Sequence, residues 1–128
     1  MQRVKTATDL EVYKLAFVQA TKIFVMSKTW PAEEKYSLTD QIRRCSRSVC
    51  ANLREAWAKR KYPAHFASKL TDADAENGET ETWLDLAFQC GYLPEQNYKA
   101  LKATCARIGA MLGRMLATSD SFCHPDSD

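Results

Sequence analysis

The chain has 128 residues, enough for one domain with a real hydrophobic core. Its formal net charge of +2 excludes a polyanion binder that works through overall charge alone. Five cysteines, an odd number with no CxxC and no histidine at ligand spacing, argue against a disulfide framework and point to a reducing, cytoplasmic setting.

Residues 1–14 contain no apolar signal-peptide core, and no stretch is long and apolar enough to span a bilayer, so a soluble protein without membrane contact is expected. Residues 1–8 read as a flexible tail. Asp9 is a good N-cap, and a helical period runs from it to about Lys28. Leu10, Tyr13, Phe17, Ala20 and Phe24 form its apolar seam, widened by Val12, Ala16 and Ile23. Leu15, Val18, Val25 and Met26 fall outside that seam, an excess that points to contact with a second subunit. Pro31 breaks the period at Trp30. The second helix starts either in the Pro31–Glu34 turn or at Ser37, with Asp40 as its capping partner.

Residues 37–61 carry three chemically distinct stripes at about 100° per residue. Leu38, Ile42, Cys45, Val49, Leu53 and Ala56 make a core-facing seam, and Gln41, Arg44, Ser48, Asn52 and Glu55 lie beside it. Opposite the seam, Arg43, Arg47, Arg54 and Lys61 share a narrow arc. Pro63 ends this helix and begins the next after a tight connection. There Phe66, Leu70, Ala73, Asn77, Thr80, Leu84 and Phe88 keep phase across Asn77-Gly78, which predicts one continuous helix despite the local turn signal. Gly91 is a C′ stop. The fourth helix carries Tyr98, Leu101, Cys105, Ile108, Leu112 and Met115, with Gly109 and Gly113 allowing a neighbouring backbone to approach. Four helices, short loops and no strand signal predict an all-α, antiparallel, up-down-up-down four-helix bundle over residues 9–116, with a second flexible tail at 117–128.

Charge is divided unevenly along this frame. Residues 37–62 hold seven Lys and Arg against two acids, while residues 63–90 hold one Lys against six acids. The arc of Arg43, Arg47, Arg54 and Lys61, extended by Lys59 and Arg60, suits a phosphate backbone, with Trp57, Tyr62 or His65 near enough to stack on a base. The alternative is a solvated face, or an intersubunit surface facing the acidic third helix. Gln41, Arg44, Ser48, Asn52 and Glu55 read as a half-buried hydrogen-bond network reaching Glu79, which would fix helix register. Glu55 with Glu79 does not make a di-metal site, because the Glu-x-x-His motifs are missing and His65 and His124 stand alone. Cys50 has arginines near its face but no histidine at helical spacing, and reads as a surface thiol. No glycine-rich phosphate loop and no catalytic motif is present, so neither an enzyme nor a cofactor is expected.

The chain also resembles the bacterial four-helix-bundle family typified by proteins encoded in intervening sequences of 23S rRNA genes. The resemblance runs from Leu10 to Leu116 through Trp30-Pro31, Glu34, Leu38 to Arg44, Ser48, Asn52, Leu53 and Glu55. It continues through Phe66, Leu70, Ala73, Glu79, Leu84, Ala87 and Gly91-Tyr92-Leu93. The chain departs from the family pattern at Arg54-Glu55-Ala56, where a small residue, Glu and Gly are usual, and at Ala75-Glu76 and Thr80. The resemblance implies a homopentamer with a basic surface, association with RNA or DNA, kinship to retroelement accessory proteins and no enzymatic activity. A purely structural assembly module is the competing expectation.

Overall fold

A computed structural model describes residues 4–123. Four α-helices follow one another: α1 (Glu11–Ser27), α2 (Asp40–Ala58), α3 (Pro63–Gln89) and α4 (Glu95–Ala117). Each helix packs on its neighbours in the chain, and α4 returns to α1. Arg44 and Cys45 of α2 meet Glu79 and Thr80 of α3, whereas Glu55 meets Lys69, so the chain numbers rise along one helix as they fall along the other. The same reversal relates α3 to α4 through Asn77–Cys105 and Asp85–Tyr98, and α1 to α4 through Gln19–Leu101 and Met26–Asn97. The described residues contain no strand.

Local chemistry sets the boundaries. Pro63 occupies the first turn of α3, where its missing N–H costs nothing. At the other end Gly91 has φ +80°, and Gly91 N and Tyr92 N donate to the carbonyls of Phe88 and Ala87 at 3.0 and 2.9 Å. That pairing is a Schellman stop, and it needs a residue tolerant of positive φ. Between these ends α3 is unbroken over 27 residues. Gly78 does not interrupt it, because a side chain there would meet nothing within 4 Å while Ala73, Asn77, Thr80 and Leu84 are held inside. The approach to α2 is a 3-10 turn at Ala32–Glu34 followed by a π-turn at Lys35–Thr39. Ser37 donates to Glu34 at 2.7 Å instead of pairing with Asp40.

Three expectations are corrected. The core seam of α1 is Val12, Ala16, Gln19, Ile23 and Ser27. Tyr13 and Phe24 are half-buried, and Phe17 is 57% exposed. Ala16, Gln19 and Ser27 take inward positions beside Val12 and Ile23, and the aromatic rings are left at the margin or outside. Asp9 is not the cap of α1: it accepts from Lys5 N and Thr6 N at 2.9 and 3.1 Å, closing a 3-10 turn at Ala7–Asp9 that buries Ala7. The chain beyond residue 117 also reaches the core, since Phe122 stacks on Phe66 with ring centroids 6.0 Å apart and Cys123 is buried. Both segments carry an apolar residue into the open end of the bundle. The remainder of the expected tails, residues 1–3 and 124–128 with His124, lies outside the described residues.

The α2, α3 and α4 seams are buried much as their spacing predicts, with Ala87 in place of Phe88 at the end of α3. The interior is not uniformly apolar. One cluster gathers Val12, Val49, Leu53, Phe66, Leu70 and Leu112, and a second gathers Ile23, Trp30, Ile42, Leu84, Leu93 and Leu101. Between them lies a polar waist of Gln19, Ser46, Asn77 and Thr80, all buried. Gln19 Nε2 donates to Leu101 O at 2.8 Å and to Cys105 Sγ at 3.3 Å. Asn77 Nδ2 donates to Cys105 O at 2.9 Å, and the Thr80 hydroxyl donates to Glu76 O at 2.9 Å beside Cys45 Sγ. Burial pushes the Cys45 and Cys105 thiols up to about 11 and about 12, so both act as neutral packing groups. An added Cβ at Gly109 would stand 3.6 Å from Asn77 Nδ2, an ordinary packing distance, and Gly113 faces open space. Within the bundle neither glycine makes the close backbone approach expected of it.

Satisfied buried amides tie the register of α1, α3 and α4. Asn77→Ala should lower unfolding free energy by about 1–3 kcal/mol. Asn52→Ala, which loses only a local bond to Ser48 O at 2.9 Å, should stay within about 0.5 kcal/mol of wild type. Urea unfolding of the two variants checks this, and equal losses would contradict the assignment of the waist.

Candidate nucleic-acid interface

The site is defined first by the charges it lacks. Five of the six acids on α3 already have cations: Arg44 takes Glu79 at 2.8 Å and Glu76 at 3.5 Å, and Lys69 lies 3.8 Å from Asp72. Lys102 of α4 takes Asp85 at 2.9 Å and Glu81 at 3.3 Å. Lys69 also reaches across to Glu55 of α2 at 2.7 Å. The acids of this segment thus find their partners within the bundle, in three cations outside the arginine arc, and the segment stays net negative.

This arrangement divides the expected polar network into separate pieces. Arg44 and Glu79 do pair, and Trp83 Nε1 adds a bond to Glu79 at 3.4 Å. Gln41 donates to Tyr36 O at 3.3 Å, and Asn52 donates to Ser48 O, both within their own segment. Glu55 turns to Lys69 and does not meet Glu79. The strip sits at the half-exposed margin, where side chains reach across individually. The buried network is the waist, and its sequence signal was Gln19 and Asn77 in phase with apolar stripes. Gln19 is hidden from such a reading because the aromatic seam of α1 is the more conspicuous one.

The arc itself separates into two roles. Arg43 is half-buried: its Nε donates to Ser27 Oγ at 2.8 Å and its Nη2 to Phe24 O at 3.4 Å. Its guanidinium lies 4.7 Å from the centre of the Phe24 ring. A cation on the last carbonyls of α1 complements that helix end, so Arg43 is a tether between helices. Arg47 is exposed and rests over the same ring at 5.4 Å. Arg54, Lys59 and Lys61 are exposed. Arg60 is held flat on the Trp57 ring at 3.7 Å, with Nε bonded to Trp57 O at 2.9 Å. Among the described residues, none of these six cations forms an ion pair.

Beside the arc an apolar cleft of about 350 Å³ opens between α1 and α2, lined by Tyr13, Phe17, Ala20, Phe24, Arg47 and Cys50. Cys50 is half-buried in it, and burial pushes its thiol up to about 11. It is neither a surface thiol nor an activated nucleophile. Further along the outer side of α1, Val18 and Val25 are 49% and 56% exposed. Among the described residues no group of three His, Cys, Asp or Glu side chains is placed to hold a metal ion, and no helix is long and apolar enough to cross a membrane.

This geometry can now be set beside known proteins. Residues 8–114 match the family model described as 23S rRNA-intervening sequence protein. The chain belongs to that family. A crystal structure from Bacteroides thetaiotaomicron, of a protein with unknown function from the S23 ribosomal protein family, shares the fold with a TM-score of 0.75. The two chains are 29% identical over 83% of this chain and 95% of the other. No curated protein matches the sequence.

In this member of the family the α3–α4 pairing is titratable. The Tyr98 hydroxyl, 2.7 Å from Asp85, and then Lys102 hold the Asp85 carboxyl below its ordinary value of 3.8. A carboxyl lowered by folding contributes stability above its unfolded pKa, and that contribution is lost as pH falls through the folded value. Tyr98→Phe should therefore raise the Asp85 pKa toward its ordinary value and weaken the dependence of stability on pH below about 4. A carboxyl NMR titration reads this directly, and an unmoved Asp85 would contradict the geometry.

Proposed function

We propose that this chain is a non-enzymatic, self-associating cytoplasmic protein that binds the phosphate backbone of RNA or DNA through Arg47, Arg54, Lys59, Arg60 and Lys61. The observation that carries the reading is charge selection. Five of the six acids of α3 are paired with Arg44, Lys69 and Lys102, while Arg47 and Arg54 of α2 and Lys59, Arg60 and Lys61 of the following turn have no carboxylate partners. Unpaired guanidinium and ammonium groups along a helix and its C-terminal turn suit a row of phosphates, because each contact releases condensed counterions. The family description refers to an rRNA gene insertion, which fits a nucleic-acid partner and does not name one.

Self-association rests on a different observation. Large apolar side chains of α1, Phe17, Val18 and Val25, lie outside while Ala16, Gln19 and Ser27 lie inside. An apolar stripe of this kind favours a second copy of the chain, and the family resemblance makes a closed ring of five the expected number. Repeated basic arcs in such a ring act together, which offsets the modest charge of one subunit. The same stripe also supports a second reading, an assembly module with no nucleic-acid partner.

Charge reversal separates the two. Arg47→Glu with Arg54→Glu should weaken retention of RNA or DNA several-fold and leave helical circular dichroism unchanged. Light scattering should give five times the 14.5 kDa of the chain for both proteins. Retention that is flat in salt and indifferent to the double change would leave the assembly module as the function. A monomer mass at low and high salt would remove the ring.

A further inference from the structure

We infer that the α2–α3 turn is a base-stacking platform, so that the nucleic acid taken by this chain is single-stranded; the inference rests on the phosphate-binding reading above. The turn gathers Lys59, Arg60 and Lys61 immediately before Tyr62, whose residue is 56% exposed. His65, one turn into α3, is also exposed, and its ring centre stands 5.7 Å from that of Tyr62 at an interplanar angle of 41°. Two aromatic faces thus stand in solvent beside three consecutive cations.

The fold does not account for the tyrosine. Position 62 is the N-cap of α3, where a short polar side chain would bond the first free N–H groups, yet Tyr62 makes no such bond. Its backbone does the structural work of the turn: Tyr62 N donates to Lys59 O and Phe66 N donates to Tyr62 O, both at 2.9 Å. The ring makes no cap bond and stands beside His65 with more than half of the residue in solvent, where a base can reach it. The nearby guanidinium of Arg60 is already immobilised on Trp57, so less rotamer freedom is lost when it meets a phosphate.

This combination discriminates between partners. In a duplex the base faces are stacked on one another, and only phosphates and groove edges reach a protein surface. Unpaired bases expose their faces and stack on aromatic rings, with little dependence on sequence. A cation row alone serves either partner, but exposed rings at its end add affinity for the single strand only. The 2′-hydroxyl is the group that would distinguish RNA from DNA at such a site.

Fluorescence anisotropy with the full chain tests this, using a short labelled oligouridylate, an oligothymidylate and a mixed-sequence duplex of equal length. Wild type should hold either single strand more tightly than the duplex. Tyr62→Ala should lose about five-fold or more on the single strand, with duplex binding and the salt slope unchanged, and Tyr62→Phe should retain wild-type affinity. A preference for oligouridylate over oligothymidylate would identify RNA, and equal affinity would assign single strands of either sugar. If Arg47→Glu/Arg54→Glu weakens binding while Tyr62→Ala does not, the stacking platform is wrong and the phosphate reading stands. Duplex bound as tightly as single strand by wild type overturns the platform too. No binding to any of the three probes overturns both.

Discussion

The arrangement of charge in this bundle depends on Arg44. It projects from the margin of α2 onto Glu79 and Glu76 of α3, and with Lys69 and Lys102 it pairs five of the six acids of that helix inside the molecule. Without that pairing the acids of α3 would be the natural partners of the neighbouring arginines, and the basic arc would be an internal or intersubunit salt-bridge surface. Arg44 stands one residue from Arg43, and the 100° step between them separates a cation facing α3 from one facing α1. Pairs as exposed as these contribute little stability individually. Their consequence is the field they leave over α2, where the unpaired cations stand.

A second constraint is the set of residues that α1 turns inward. Ala16, Gln19 and Ser27 occupy the positions that face the bundle, and Gln19 joins Asn77 in bonding the backbone of α4. The polar waist fixes the register of α1, α3 and α4, since a slip would leave buried amides without partners. It also sends the larger side chains of α1 outward. Phe24 illustrates the result: its ring carries Arg43 and Arg47, and its carbonyl receives Arg43. The helix that contributes least apolar bulk to the core thereby supports the basic arc and leaves Phe17, Val18 and Val25 exposed.

Much of this was legible in the sequence. The α2 seam from Leu38 to Ala56, the α3 stripe and the Gly91 stop follow from period and from backbone chemistry, which local sequence encodes directly. The α1 seam was not legible, because hydrophobicity ranks Phe17 above Gln19 and only the neighbouring helices decide which fits. The polar strip was misread for a related reason. Spacing places Glu55 and Glu79 on compatible faces, but the vertical match between helices assigns Glu55 to Lys69. The arginine arc was visible as a pattern; that Arg43 is a tether depends on Ser27 and the end of α1, which no spacing rule contains. Thr6 and Phe122 escaped notice, and Asp9 was read as the cap of the wrong helix, because a turn and a single ring leave no periodic signal.

In the proposed function Arg47, Arg54, Lys59, Arg60 and Lys61 act as free charges toward a polyanion. The most direct measurement is the slope of log affinity against log salt for a labelled single strand, between about 50 and 200 mM. Each phosphate neutralised contributes about 0.7 to that slope. Wild type should give a slope of about −2 or steeper, reduced in magnitude by about 1.4 in the Arg47→Glu/Arg54→Glu protein. A slope near zero, or one that the double change leaves untouched, would contradict it.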